Sequence, residues 1–463
     1  MAVSRRAGPL PTTPASGGLL TLGHTSGKGF LMESVSRRTI LQSAGAAGLL
    51  GSIAAAGTLG AAPAAAAGSH QANLRLWEGT TGFGYGTHTG TTSASGDVVI
   101  DTPAATVDYD DSHGSSRSYD RSTWMSPRVS APFGATEIIA SWNAATPAGT
   151  WVEVAAQATT TSGDTTGWYV MGRWTSGDSA SDIGRGSVSG QSDQHAAVDT
   201  DTLTARNGHT FAGVRLRVRM YRLASGSATP RLTLVAAMFS ATASSSSTST
   251  PGSAAGTVLN VPAYSQQLHT GHYPQWNGGG QAWCSPTCTA MILDYWDLGP
   301  SSSQTAWVDI SGEDRPQVDH AARYVFDYTY EGAGNWTFNT AYAGARGARA
   351  YITRLRSLSE AEAFISAGIP LIVSLSFTAE DLTGAGYGTN GHLMVLRGFD
   401  DDGDPVMNDP ASHLRSDDDA VRVTYARDEL ESLWLDTSGG LTYIIAPPGQ
   451  DLPASQGAHI NWR

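Results

Sequence analysis

The sequence predicts a two-part fold, in which an all-β sandwich of jelly-roll type precedes an α+β domain. From about Leu74 to Phe239, short strand-like runs are separated by clusters of Gly, Ser, Thr, Asp and Pro, without an amphipathic helix. A Ser/Thr/Gly-rich segment at 243–257 is typical of a linker. Beyond it, helical spacing comes first and strands follow, as in α+β domains. The 463 residues leave room for both parts.

Residues 1–67 are predicted to be a targeting segment. A twin-arginine pattern at 36–41 precedes a weakly hydrophobic run at 44–62 and an alanine cluster at 64–67, which offers an A-x-A cleavage site. We therefore expect export by the twin-arginine route, which carries folded proteins, and a secreted or cell-envelope location. A membrane anchor is the alternative, but the run is rich in Ala and Gly, and we expect no integral membrane span after cleavage.

The charge balance is acidic. The chain carries a net charge of −13, and cleavage near Ala67 would leave 23 positive and 40 negative side chains, a net charge of −17. Such a surface repels nucleic acid and anionic membranes, so no nucleic-acid partner is expected.

The N-terminal domain, predicted over 68–242, could bind a glycan or a cell-wall ligand. Its clearest strand is Phe211–Arg222, where apolar residues alternate with arginines, so that one face is buried. The exposed arginines could bind an anion, but a solvated face paired with acidic side chains is the simpler interpretation. Aromatic residues could stack on sugar rings, and core packing is the favoured alternative. These residues are Trp77, Phe83, Tyr85, Trp142, Trp151, Trp168 and Trp174.

The C-terminal domain is predicted over 258–447, followed by a tail at 448–463. It opens with a short strand, Val258–Tyr264, and a helix then follows the two cysteines. The further elements are predicted helices at Gln317–Val325, Glu360–Ala367 and Arg427–Leu435, and strands at Leu371–Phe377, His392–Phe399, Pro405–Asn408, Ala420–Thr424 and Leu441–Ile445.

Both cysteines, Cys284 and Cys288, fall in one stretch after a glycine run. Pro286 suits the first turn of a helix, so Cys284 is expected at a helix N-terminus, where the dipole favours a thiolate. Two cysteines four residues apart exclude a disulfide framework. They also lack neighbouring ligands for a metal site, and no metal or cofactor is expected. The acidic run Asp400–Asp404 could bind calcium, although an acidic hairpin turn is the commoner interpretation.

A cysteine nucleophile needs a base, a group that orients the base, and donors for the oxyanion. His392 begins an apolar strand after a glycine-rich loop, and the next strand ends at Asn408-Asp409-Pro410 after the turn at 400–404. A tight hairpin places the ends of its strands side by side, so Asp409 can accept the second ring N–H of His392.

Gln266, the run Trp-Cys-Ser-Pro-Thr at 283–287, Gly391-His392 and Asn408-Asp409-Pro410 together resemble the papain-like C39-type cysteine peptidases, in particular the stand-alone exported actinobacterial members. The resemblance covers the C-terminal domain only. It implies a papain-like fold and a peptide or protein substrate.

The resemblance also assigns roles to residues. Cys284 would be the nucleophile, His392 the general base and acid, Asp409 the group that orients His392, and a glutamine the oxyanion donor beside the Cys284 N–H. Gln266 fits the family motif, but it lies eighteen residues before Cys284 because a segment, His269–Gly280, is inserted. Gln267 and Gln281 compete for this role.

Other functions stay open at this stage. A cell-wall amidase or endopeptidase and a transglutaminase-like acyl transfer would use the same Cys-His-Asp set. A non-enzymatic glycan-binding envelope protein is the alternative from another class. Cys288 is expected to pack in the core, and the polar–aromatic cluster at 335–339 could line the cleft or belong to the core.

Overall fold

The computed structural model describes residues 70–111, 116–243 and 248–463. The predicted targeting segment, 1–67, lies outside the described residues. Within the described ranges, no helix combines the length and the apolarity needed to cross a membrane.

In its described residues, the N-terminal half consists of antiparallel strands with one short helix, α1 (Gly79–Gly84), after the first strand. The strands are β1 (Gln71–Glu78), β2 (Thr87–Thr89), β3 (Thr91–Thr92), β4 (Val99–Ile100), β5 (Ala105–Asp110), β6 (Ser116–Met125), β7 (Val129–Ala135), β8 (Glu137–Ala145), β9 (Thr150–Thr160), β10 (Tyr169–Trp174), β11 (Ala196–Asp199), β12 (Thr202–Ala205), β13 (Phe211–Leu223) and β14 (Arg231–Ala241).

These strands form two main sheets, with the orders β1-β14-β8-β12-β11 and β10-β9-β13-β6-β2. Strands β5 and β7 add to the second sheet on β6 and β13, and β3 pairs with β4. Eight strands of the two sheets can be renumbered 1 to 8 in chain order, namely β1, β6, β8, β9, β10, β12, β13 and β14. With these numbers, the strands lie in the order 1-8-3-6 in the first sheet and 2-7-4-5 in the second. This is the strand order of a jelly roll, and it confirms the predicted fold class.

The two sheets pack face to face. A Cβ atom on Gly172 of β10 would lie 2.7 Å from the Trp142 ring of β8, so the sheets approach closely there and only glycine fits. Of the aromatic residues considered above, Trp77, Phe83, Trp142, Trp151 and Trp174 are buried, whereas Tyr85 is exposed. Most of this set is therefore core.

The arginine face of β13 is paired with other groups. Arg219 of β13 and Arg173 of β10 both bind Glu153, with N–O distances of 3.0 and 3.2 Å. The Arg217 guanidinium lies 4.3 Å from the centre of the Trp168 ring. The structure therefore agrees with the simpler of the two interpretations, a solvated sheet face whose arginines are paired with neighbouring side chains.

The C-terminal half is an antiparallel sheet with helices packed on it, which confirms the α+β prediction. The strand order is β15-β20-β16-β17-β18-β19. The elements are α2 (Cys284–Tyr295), α3 (Ser302–Thr305), α4 (Pro316–Val325), α5 (Trp336–Ala345), β15 (Arg349–Arg354), α6 (Leu358–Ser366), β16 (Leu371–Phe377), β17 (Thr389–Phe399), β18 (Pro405–Asn408), β19 (Arg422–Thr424), α7 (Arg427–Ser438) and β20 (Leu441–Ala446). Short 3-10 turns lie at Gln266–His269, Gly280–Ala282, Ser412–Leu414 and Asp419–Val421.

The strand predicted at Val258–Tyr264 is wrong. The segment makes a single bridge, from Val258 to Gly398, and Pro262 has no N–H with which to continue a ladder. Helix α5 and strand β15 had no sequence prediction. Seven of the ten residues of α5 are buried, so its sequence has no polar face from which a helical period could be read.

The two halves share one continuous hydrophobic core. Helix α5 packs on β8, and the Thr337 hydroxyl donates to the Ala140 carbonyl at 2.9 Å. The Asn143 side chain of β8 donates to the Ala350 carbonyl at 2.7 Å and accepts from the Ala350 N–H at 3.0 Å. The cluster at 335–339, which begins α5, is therefore part of the core rather than a cleft wall.

The segment predicted as a linker is anchored over its described second part, 248–257. The Glu431 carboxylate accepts from the Ser249 N–H at 2.7 Å, and Glu362 accepts from the Gly252 N–H at 3.0 Å. In the tail, Asn461 and Trp462 are buried. The domains therefore pack against each other instead of moving independently on a tether.

Substitution Asn143→Ala should lower the free energy of unfolding by about 2–4 kcal/mol, because it leaves both polar groups of Ala350 buried and unpaired. Both halves should still unfold in one transition, since their core is shared. Urea denaturation followed by tryptophan fluorescence and circular dichroism measures this, with exposed Asn260→Ala as the matched control. Separate transitions for the two halves would contradict the shared core.

Candidate active site

A hairpin brings His392 and Asp409 together. Strands β17 and β18 pair antiparallel with Val395 opposite Asn408. At the turn between them, one Asp400 oxygen accepts the N–H groups of Asp402 and Asp404 at 3.1 and 2.9 Å, so this acidic run closes on itself. At the other end of the hairpin, His392 Nε2 lies 2.8 Å from Asp409 Oδ1.

The Asp409 carboxylate is fully buried and accepts several hydrogen bonds. The Tyr387 hydroxyl lies 2.9 Å from both oxygens, the Tyr425 hydroxyl donates to Oδ2 at 2.8 Å, and the Ala411 N–H donates to Oδ1 at 3.0 Å. Burial by itself raises the pKa of Asp409. The charge and the hydrogen bond of His392, with the other donors, outweigh burial and hold the pKa below its usual value. Asp409 is therefore an anion.

Because Nε2 of His392 is bonded to Asp409, Nδ1 is the ring nitrogen available to Cys284. Burial lowers the pKa of His392, but the Asp409 and Cys284 charges and hydrogen bonds outweigh it and raise this pKa to about 10. The surroundings of Cys284 raise its pKa by desolvation. The His392 bond and charge, with the N–H groups of Leu393 and Ser285, reverse this and lower it. Both shifts favour the ionised pair, a thiolate on Cys284 beside an imidazolium on His392.

The second cysteine lies in a different environment. Cys288 is fully buried one turn further along α2, and its thiol donates to the Leu393 carbonyl at 3.2 Å. Burial raises the pKa of Cys288 well above its usual value. Cys284 is partly exposed and has the lowered pKa, so it is the candidate nucleophile of the two.

Gln266 is bonded to both segments that carry the site. Its side-chain Nε2 donates to the Gln281 carbonyl, three residues before Cys284, at 2.9 Å. Its backbone N–H donates to the carbonyl of Pro410, which follows Asp409, also at 2.9 Å. Gln266 is buried, so its side-chain amide is shielded from bulk water.

The inserted segment folds back and closes the gap between Gln266 and Cys284. Thr270 and Gly279 form an antiparallel bridge. A Cβ atom on Gly280 would lie 2.1 Å from the Gln266 carbonyl oxygen, so only glycine permits this close approach. The eighteen-residue separation along the chain therefore leaves Gln266 next to the start of α2.

The competing glutamines are placed differently. The Gln267 Oε1 accepts from the Thr270 hydroxyl at 3.4 Å, within its own turn. The side chain of Gln281 is exposed. The structure thus brings Cys284, His392 and Asp409 together and places Gln266 beside them, in preference to the other two.

Two residues of the site had no sequence prediction, Tyr387 and Tyr425. Tyr387 lies in the glycine-rich loop before His392, and Tyr425 lies two residues before α7, which begins at Arg427. A lone tyrosine in a loop has no spacing signal. The position of Tyr387 among glycines, next to a candidate base, is the only clue in the sequence.

Comparison with protein families gives a match for each half of the chain. Residues 258–441 match the model of the Peptidase_C39 like family, and residues 73–240 match the model described as the peptidase C39 N-terminal domain. The sandwich, for which the sequence motifs suggested no relatives, therefore also matches a family model. No curated protein matches the chain.

The rate of iodoacetamide alkylation of Cys284 should reach half of its maximum at a pH below about 8.5, the usual thiol value, because the lowered pKa keeps the thiolate at lower pH. Substitutions His392→Ala and Asp409→Asn should both move this midpoint to higher pH, since each weakens the positive charge beside the thiol. Stopped-time labelling with mass spectrometry measures the profile.

The control is Cys288→Ala, which should leave the profile unchanged, with Cys288 unlabelled in the wild type. A wild-type midpoint at or above that of a free thiol would contradict the thiolate–imidazolium pair.

Proposed function

We propose that this chain, whose two halves match models of the C39-like peptidases and of their N-terminal domain, is an exported cysteine peptidase that hydrolyses peptide bonds through an acyl-enzyme. The observation that carries the proposal is the buried His392–Asp409 contact of 2.8 Å, which leaves the second ring nitrogen of His392 available to the Cys284 thiol at the start of α2. This is the arrangement that an activated thiol nucleophile requires.

In the first half-reaction, the Cys284 thiolate attacks the carbonyl carbon of the scissile bond and a C–S bond forms. The oxygen becomes an oxyanion, which the Cys284 N–H and the Gln266 side chain stabilise. The C–N bond then breaks, and His392 Nδ1 gives its proton to the leaving amine. The first product leaves, and the acyl group stays on sulfur.

In the second half-reaction, neutral His392 takes a proton from water as the water oxygen attacks the thioester carbon. The C–S bond breaks, the carboxylic acid product leaves, and the thiolate and the imidazolium are restored. Asp409 keeps its negative charge throughout and fixes the ring so that Nδ1 always faces the sulfur.

The substrate that we propose is a peptide or protein outside the cytoplasm. Support for this location is the twin-arginine pattern at 36–41 and the apolar run that follows it. The acidic balance of the rest of the chain disfavours nucleic acid as a substrate or partner.

The wild-type protein should release products from a peptide library, and Cys284→Ala should release none. Mass spectrometry of the products identifies the cleaved bond, and purified cell wall is incubated in parallel. Products from cell wall alone would replace the proposal by a cell-wall amidase or endopeptidase. Amine incorporation in place of hydrolysis would replace it by acyl transfer. Products that persist in Cys284→Ala would refute the nucleophile.

Substitution Gln266→Ala should lower kcat by about 10²–10³-fold with little change in KM, because an oxyanion donor acts in the transition state. Steady-state kinetics on a cleaved library peptide measures this. The matched control is Gln281→Ala, whose exposed side chain should leave kcat nearly unchanged. Unchanged alkylation of Cys284 in Gln266→Ala would show that the thiolate is intact. An equal loss in both variants would remove the oxyanion role from Gln266.

A further inference from the structure

Four potential metal ligands converge beside the inserted segment. His269 and His272 belong to this segment, Glu313 precedes α4, and Asp319 lies in the first turn of α4. One ligand atom from each lies within 4.8 Å of the others. We propose that these residues form a structural site for a divalent transition-metal ion, with zinc as the best match.

The distances between the donors suit tetrahedral coordination. His269 Nδ1 lies 3.0 Å from Asp319 Oδ2 and 3.6 Å from Glu313 Oε2. His272 Nδ1 lies 3.1 Å from Asp319 Oδ1 and 3.4 Å from the same Glu313 oxygen. Nitrogen and oxygen ligands of tetrahedral zinc, about 2.0–2.2 Å from the ion, lie about 3.3–3.5 Å from one another. These four separations are close to that value, and the bound of 4.8 Å for the whole set means that the side chains would close around a small ion.

The arrangement of acidic side chains also favours a bound cation. The Asp319 and His269 side chains are fully buried, and Glu313 and His272 are only 8% and 13% exposed. No arginine of the described residues forms an ion pair with either carboxylate. Two buried carboxylates without a fixed positive charge are costly, and a divalent ion bound by two neutral imidazoles balances them.

The set of ligands indicates the type of ion and its role. Imidazole nitrogen suits zinc and its neighbours, whereas calcium and magnesium prefer oxygen ligands only. Four protein ligands leave no open position, which is typical of structural rather than catalytic zinc. His272 and Glu313 also line a surface cavity of about 160 Å³, which gives the ion a route of entry.

The ion would hold together segments that are distant in the sequence. It would link the inserted segment to the loop before α4 and to α4 itself, which packs on the cysteine helix α2. His269 ends the 3-10 turn that begins with Gln266. The proposed ligands do not include Cys284, but His269 is only three positions after the candidate oxyanion donor, Gln266.

The purified full chain, dialysed against zinc and then freed of excess by gel filtration, should retain one zinc ion per chain by plasma mass spectrometry. His272→Ala and Glu313→Gln should bind zinc at least about tenfold more weakly, as measured by competition with a chromophoric chelator. Cys284→Ala and His209→Ala should bind it like the wild type. A chelator should lower the Tm of the wild type but leave that of the two ligand variants unchanged.

Spectroscopy provides an independent readout. Cobalt substituted for zinc should give the visible bands of a four-coordinate nitrogen and oxygen site, without the charge-transfer band of a thiolate ligand. No retained zinc in the wild type, equal zinc binding in the ligand variants, or loss of zinc in Cys284→Ala would overturn the proposal.

A further effect rests on the proposed function. If the ion fixes the turn that carries Gln266, its removal should lower kcat more than it changes KM, and zinc should restore kcat. Metal content and Tm, measured on Cys284→Ala, test the site even if the protein has no peptidase activity. A metal-depleted protein with full kcat would show that the ion, although bound, does not position Gln266.

Discussion

The carboxylate of Asp409, buried away from water, is the group on which both the sheet edge and the site depend. An anion in such a place is stable only when hydrogen bonds replace its solvation. Its donors come from the glycine-rich loop (Tyr387), from the start of β17 (His392), from its own turn (Ala411) and from the segment before α7 (Tyr425). The same contacts therefore hold these segments in register and keep His392 charged.

How far the sequence predicts this site depends on how local each contact is. The hairpin between His392 and Asp409 is short, and strand pairing converts its spacing into proximity. The sequence identifies Gln266 as the candidate oxyanion donor less readily. A bridge between Thr270 and Gly279 brings it close to Cys284, and strand periodicity does not reveal such a bridge. Tyrosines that donate to a buried carboxylate have no pattern in the sequence at all.

The alternation of apolar and polar residues, together with the composition of the turns, predicts the fold class of each half. It does not predict how the two halves pack against each other. A periodic pattern of apolar and polar residues identifies a strand or a helix only when one of its faces is exposed to solvent. Helix α5 and strand β15 do not show such a pattern because they are buried between the halves, where Asn143 bonds to Ala350. The His269–His272 pair is short, yet its carboxylate partners lie more than forty residues along the chain. Neither arrangement has a local sequence pattern.

The contact between the Cys288 thiol and the Leu393 carbonyl has a consequence for redox chemistry. A thiolate oxidised to a sulfenic acid is rescued when a second thiol of the same protein attacks it. Cys288 lies one turn from Cys284, but it is buried, protonated and bonded to the backbone of β17, so it is not free to attack. Protection of Cys284 against further oxidation must therefore come from a thiol or reductant outside the chain.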